Sequence, residues 1–179
     1  MSTTAVPYSA SNRDLLPRLV RAGLLTGVID GLFSSVLNVV AYRSTASRLF
    51  QGVAAVLLGS EAFNGGTSTV VVGVLMHFGV AFAWSAVFLL LVLRWPWVRG
   101  LLASPFGVAK VASLYGPFVW MVMSLGVIPI LVHRPPTIGT RWWIQLIGHI
   151  PFVGIPIVAS SGRVCPRAEG SGYTWRTGG

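Results

Sequence analysis

Three side chains that can exchange protons sit inside runs of otherwise apolar residues: Asp30, His77 and His149. A carboxylate and two imidazoles at membrane depth suit three readings. In the first, Asp30 titrates and His77 or His149 relays the proton, which makes an ion or proton pathway. In the second, the histidines bind a cofactor, together as axial ligands of a haem or singly as the ligand of a chlorophyll-type pigment. In the third, the groups are structural: Asp30 hydrogen-bonds to a histidine or hydroxyl and the helices are held together by it. The stretches that carry these residues decide which elements must bring them together.

Asp30 lies near the middle of the apolar stretch from Pro17 to Tyr42. Small and polar residues recur there every three or four positions: Gly23, Gly27, Asp30, Gly31, Ser34 and Asn38. In a helix they form one stripe, with Leu24, Leu25, Val28, Ile29, Leu32, Val36 and Val39 on the other side. Such a helix wants protein on one face and lipid on the other. Gly23, Gly27 and Gly31 make a helix-packing motif whose partner is either within the chain or another subunit. About ten Leu, Ile, Val and Phe residues favour insertion by roughly 0.3 to 0.6 kcal/mol each, against a cost of about 3 kcal/mol for a central Asp. The carboxylate therefore permits insertion and needs a partner or a proton.

Four apolar spans are expected, at about 18–42, 69–93, 101–132 and 142–161. His77 shares a face of the second with Gly73, Ala81 and Ser85. The third holds Lys110 early, a Gly116-Pro117 break and Pro129 near its end. The fourth carries Gln145, Gly148, His149, Pro151, Gly154 and Pro156. At about 1.5 Å per residue, Asp30 falls near the midplane and both histidines in the outer half. In an up-down bundle the second and fourth spans are diagonal neighbours, so His77 and His149 can face each other across the core. Residues 46–62 hold an apolar run too short for a span and read as a short amphipathic helix at the interface or against the bundle mouth. Trp95, Trp97, Trp142 and Trp143 read as belt anchors, Lys110 as a snorkelling residue and Glu61 as solvated.

Bulk composition agrees. The 179 residues are 54% hydrophobic and 9% charged, with a mean hydropathy of +0.74, far below the roughly 25% charge of soluble domains. Of the net charge of +9, most of the 13 basic residues flank the apolar runs, the pattern of topology signals and headgroup contacts. No basic-aromatic motif stands apart from these runs, which excludes nucleic acid as the expected partner. Arg13, Arg18, Arg21, Arg94, Arg99, Arg163, Arg167 and Arg176 fall on one side of a four-span arrangement, with Lys110 if it snorkels. Arg43, Arg48, Arg134 and Arg141 fall on the other. Both termini are thus expected in the cytoplasm. Residues 1–12 read as a disordered cytoplasmic tail without the features of a signal peptide, and 163–179 as a second cytoplasmic tail. The single cysteine, Cys165, allows no intramolecular disulfide or thiolate cluster. No metal site is expected. There is no His-Glu-x-x-His, nucleophile elbow or glycine-rich phosphate loop. Ser34 near Asp30 is the closest approach to a nucleophile beside a base.

The glycine-rich first helix, Leu75-Met76-His77-Phe78, Gly126-Val127-Ile128-Pro129, and Trp142 to Ile147 leading into Gly148-His149 together resemble small bacterial inner-membrane proteins of the YagU-like type. The resemblance covers about three-quarters of the chain as pattern. It implies a multi-span protein of the bacterial cytoplasmic (inner) membrane and carries over no catalytic or binding residue. The expected fold is an all-α integral membrane protein, four transmembrane helices in a bundle with a short interfacial helix between the first and second. The expected role is non-enzymatic, an accessory or interaction subunit of a larger membrane assembly, with membrane lipids and other membrane protein subunits as partners. The alternatives are a small transporter or ion- or proton-conducting protein using Asp30, and a haem- or pigment-ligating subunit using His77 and His149.

Overall fold

A computed structural model of the chain describes residues 12–161. The expected terminal tails, with Cys165 and the arginines around it, lie outside the described residues, apart from Asn12. Among the described residues every regular element is helical. The elements are α1 (Asn12–Val40), α2 (Ala46–Leu58), α3 (Gly66–Arg94), α4 (Pro96–Ala103), α5 (Gly107–Met121), α6 (Ile128–Val132), α7 (Thr140–His149) and α8 (Ile155–Ser161). A π-helical segment, Val122–Val127, joins α5 to α6, and another, Ile150–Gly154, joins α7 to α8. Four helices are thus long and apolar enough to cross a membrane: Leu15–Val40, Gly66–Arg94, Gly107–Val132 and Thr140–Ser161.

Local chemistry sets the boundaries. Thr45 opens α2 by accepting the Arg48 N–H at 3.1 Å, and Asn38 donates to the Thr45 carbonyl at 2.8 Å, which fixes the turn out of α1. Gly59 and Gly66, with φ of 69° and 58°, bracket the short 3-10 turn that leads into α3. At 13 residues, α2 is about 20 Å long, short of the roughly 30 Å of a bilayer core. It folds back on the start of α3 and also touches α1 and α6. Gly73 is what lets it approach, because any Cβ there would run into the Phe50 carbonyl.

Two expectations about the third long helix are revised. It begins at Gly107, not Leu101. Pro105 offers no N–H, and Phe106 adopts a left-handed φ of 58°, so α4 ends before them and stands as a separate short helix. Arg99 on α4 donates to the carbonyls of Val92 and Leu93 at 2.7 and 3.1 Å, satisfying orphan acceptors at the end of α3. The helix also does not break at Gly116-Pro117: α5 continues to Met121. The irregularity falls later, in the π segment ahead of Pro129, and the fourth long helix has its own π segment around Pro151. A widened turn beside a proline accommodates the missing N–H.

The fourth long helix is the centre of the molecule. Half of its most apolar stretch is buried inside the protein, against 28%, 22% and 17% for the first, second and third. It packs on α5 along its length and on α1 and α3 with α8. Gly116 and Gly154 permit the contact with α5, since a Cβ at either would strike the opposite backbone, at His149 and Ala112. The apolar core gathers at one end, where Phe88, Val92, Val98, Val111, Tyr115 and Ile157 meet. Tyr115 ties this end together by donating to the Trp84 carbonyl at 2.7 Å.

Candidate functional site

The first helix presents two neighbouring stripes, and the candidate residues lie where they meet. One stripe, Gly23, Gly27 and Gly31, faces α3. Cβ atoms at Gly23 and Gly27 would overlap the rings of Phe82 and Phe78, and one at Gly31 would lie 3.2 Å from His77 Nε2. The motif's partner is therefore inside the chain. The missing side chains also admit the His77 ring, whose Nε2 lies 2.9 Å from the Gly27 carbonyl. A carbonyl only accepts, so Nε2 carries a proton and donates it. Phe50 and Phe78 hold the ring edge-on at centroid distances of 5.9 and 5.8 Å.

The second stripe, Ala22, Thr26, Asp30 and Phe33, follows at helical spacing. Phe33 packs into the space over Gly148 and stacks on Phe152 with centroids 4.1 Å apart, so this face meets the fourth long helix. Asp30 is close enough to both His149 and His77 to interact with each electrostatically. His149 is buried, and its Nδ1 donates to the Gln145 carbonyl at 2.7 Å. That leaves Nε2 as the free acceptor. The Trp120 ring lies against it at 4.9 Å. Asp30 on the first helix thus has an imidazole near it on each side, His77 from α3 and His149 from the fourth long helix, each anchored through one ring nitrogen.

Hydrogen-bond satisfaction differs sharply across the molecule. Among the described residues, buried side-chain polar atoms without a hydrogen-bond partner are Thr26 Oγ1, Asp30 Oδ1, Tyr42 OH, Trp120 Nε1, Gln145 Oε1 and Ser161 Oγ. All lie on α1 or the turn after it, on the fourth long helix, or on the α5 residue that touches His149. None is on α2, α3 or α4. The two helices run antiparallel, with Phe33 beside Gly148 and Asn38 beside Arg141. Ser161 therefore belongs to the end nearer Thr26, Asp30 and His149 to the middle, and Gln145 and Tyr42 to the other end. A buried unsatisfied group costs about 1–3 kcal/mol.

The arrangement suits proton exchange better than ligation. Among the described residues no three His, Cys, Asp or Glu side chains converge to hold a metal ion. His77 directs Nε2 at the α1 backbone and its ring is flanked by Phe50, Phe78 and Gly31, so that nitrogen is engaged and not presented as an axial ligand. Asp30 on α1 interacts electrostatically with both histidines. Lys110 and Glu61 are exposed, as are Trp95, Trp97 and Trp143. Trp142 differs from the expected belt anchor. It is buried and donates through Nε1 to Ser124 at 2.9 Å, because the fourth helix turns it toward α5. Gln145 and Thr26 join the site unforeseen, although their spacing of four from His149 and Asp30 is visible in the sequence. Trp120 carries no such signal.

Comparison with protein-family models, with curated proteins and with solved structures finds no match to this chain, and the functional reading rests on its own geometry.

Proposed function

We propose that the protein is a four-span integral membrane protein of the bacterial cytoplasmic membrane, with both termini in the cytoplasm, that passes protons through a pathway centred on Asp30. In this reading α2 lies near the interface at the outer end. The observation that carries it is the file of unpartnered polar atoms along the seam between α1 and the fourth long helix, with Asp30 at its middle. Asp30 is the proton acceptor, and His149 and His77 are the bases beside it, each with one free nitrogen. Thr26, Gln145 and Ser161 lead toward the two ends. The experiment is proton uptake by proteoliposomes under a potassium diffusion potential, followed with an enclosed pH dye. Uptake above that of empty vesicles, lost in Asp30→Asn, supports the reading; wild-type uptake equal to empty vesicles sinks it.

A second reading, an accessory subunit of a larger membrane assembly, draws on the third long helix. Its most apolar stretch is only 17% buried, and Leu114, Phe118, Met121 and Leu125 are exposed along it. The glycine motif lends this reading no support, because α3 occupies it. Partner chains retained on this face in mild detergent would favour it, and a solitary protein would count against it.

A further inference from the structure

At the end of the bundle where α6 gives way to α7, the chain frames a groove of about 530 Å³, within the range of ligand pockets.

 A smaller, apolar groove of about 380 Å³ lies at the opposite end beside Phe88 and Trp97. The larger groove is lined by the apolar Trp120, Ile128, Val132 and Trp142 and by the basic Arg134 and Arg141.

Its polar lining consists largely of donors. Arg134 and Arg141 have no carboxylate in ion-pair contact among the described residues; Arg141 is steadied by Asn38 Oδ1 at 3.4 Å and by the Tyr42 ring, 4.6 Å from its guanidinium carbon. The first turn of α7 also borders the groove, and its N-cap, Gly139, supplies no side-chain acceptor, so the positive end of a long helix is open there. The Ser124 hydroxyl in the lining already accepts from Trp142. Cationic and donor groups above an aromatic and aliphatic wall match a molecule with an anionic head and an apolar tail.

We propose that this groove binds the anionic headgroup of a membrane amphiphile, a phosphate or carboxylate between Arg134 and Arg141 with its tail against Ile128, Val132 and Trp142. On the orientation proposed above, the site faces away from the cytoplasm. It rests on the membrane-embedded reading and is independent of proton transfer by Asp30. Trp120 lines the groove and touches His149, so an occupant would sit at the mouth of the polar seam.

The test is native mass spectrometry of the full chain in mild detergent with three probes: dioleoylphosphatidylglycerol, dioleoylphosphatidylcholine with the same tails, and inorganic phosphate. The wild type is expected to prefer the anionic lipid over the zwitterionic one by about thirtyfold, about fivefold for each arginine. Arg134→Gln should reduce the preference about fivefold and Arg134→Gln with Arg141→Gln should abolish it. The single variant removes no hydrogen bond seen in the fold, so it answers even where the double variant misfolds. Asp30→Asn should bind as the wild type does, which separates failure of this site from failure of the proton reading. Equal binding of the two lipids, an unchanged preference in Arg134→Gln, or displacement of the lipid by an equal concentration of inorganic phosphate would each overturn the proposal.

Discussion

The two seams of α1 are built from the same short list of residue types and have opposite characters. Toward α3, glycines meet phenylalanine rings, and the polar groups of α3 have partners: His77 donates to the Gly27 carbonyl across the seam, and Ser85 to Ala81 within α3 at 2.8 Å. Toward the fourth long helix, Phe33 fills the space over a glycine in the reverse sense, yet Thr26, Asp30, Gln145 and Ser161 each keep an unpartnered atom. Close packing is common to both seams, so packing alone does not explain the polar atoms of the second. The difference teaches that the first seam is a structural joint. The second combines a joint with a line of exchangeable groups.

The comparison breaks most visibly at the joint. Gly27→Leu must displace the Phe78 ring and disturb His77, and overpacking of this kind costs about 3 kcal/mol. Thermal unfolding in detergent should report that loss, and a normal midpoint would mean the α1–α3 seam is looser than described. Asp30→Asn should do the reverse. It keeps the shape and removes a carboxylate from a buried setting, so the midpoint should hold or rise while proton uptake falls to the level of empty vesicles. Gln145→Leu keeps volume and takes away an atom that had no partner; a severalfold slower uptake with an unchanged midpoint is expected, and a large loss of stability would show that Gln145 is structural. The smallest effect belongs to Trp142→Phe, which loses the hydrogen bond to Ser124 and should cost about 1 kcal/mol.

Much of the fold was legible because membrane-length apolar runs leave few alternatives. The exposed face of α1, with Leu24, Val28, Leu32 and Val36, and its buried glycine stripe follow directly from helical period. Boundaries were less legible where proline acts through its surroundings. Pro117 leaves α5 continuous, whereas Pro105 with a left-handed Phe106 separates α4 from α5. Asp30, His77 and His149 could be named from the chain as chemically capable. Their meeting through α1 could not, because it depends on which helix stands beside which. The same holds for Trp120 and Trp142: tryptophan at a helix end reads as a belt anchor until the neighbouring helix turns it inward.

The central claim is that Asp30 gains and loses a proton while inside the bundle. The most direct measurement is infrared difference spectroscopy of the protein in membranes across a pH titration, comparing wild type with Asp30→Asn. The chain has only four acidic side chains, so the carbonyl stretch of a protonated carboxyl group is easily assigned. The account predicts a band that grows and fades with pH and is missing from Asp30→Asn. A spectrum in which no pH-dependent carboxyl band depends on Asp30 would contradict it.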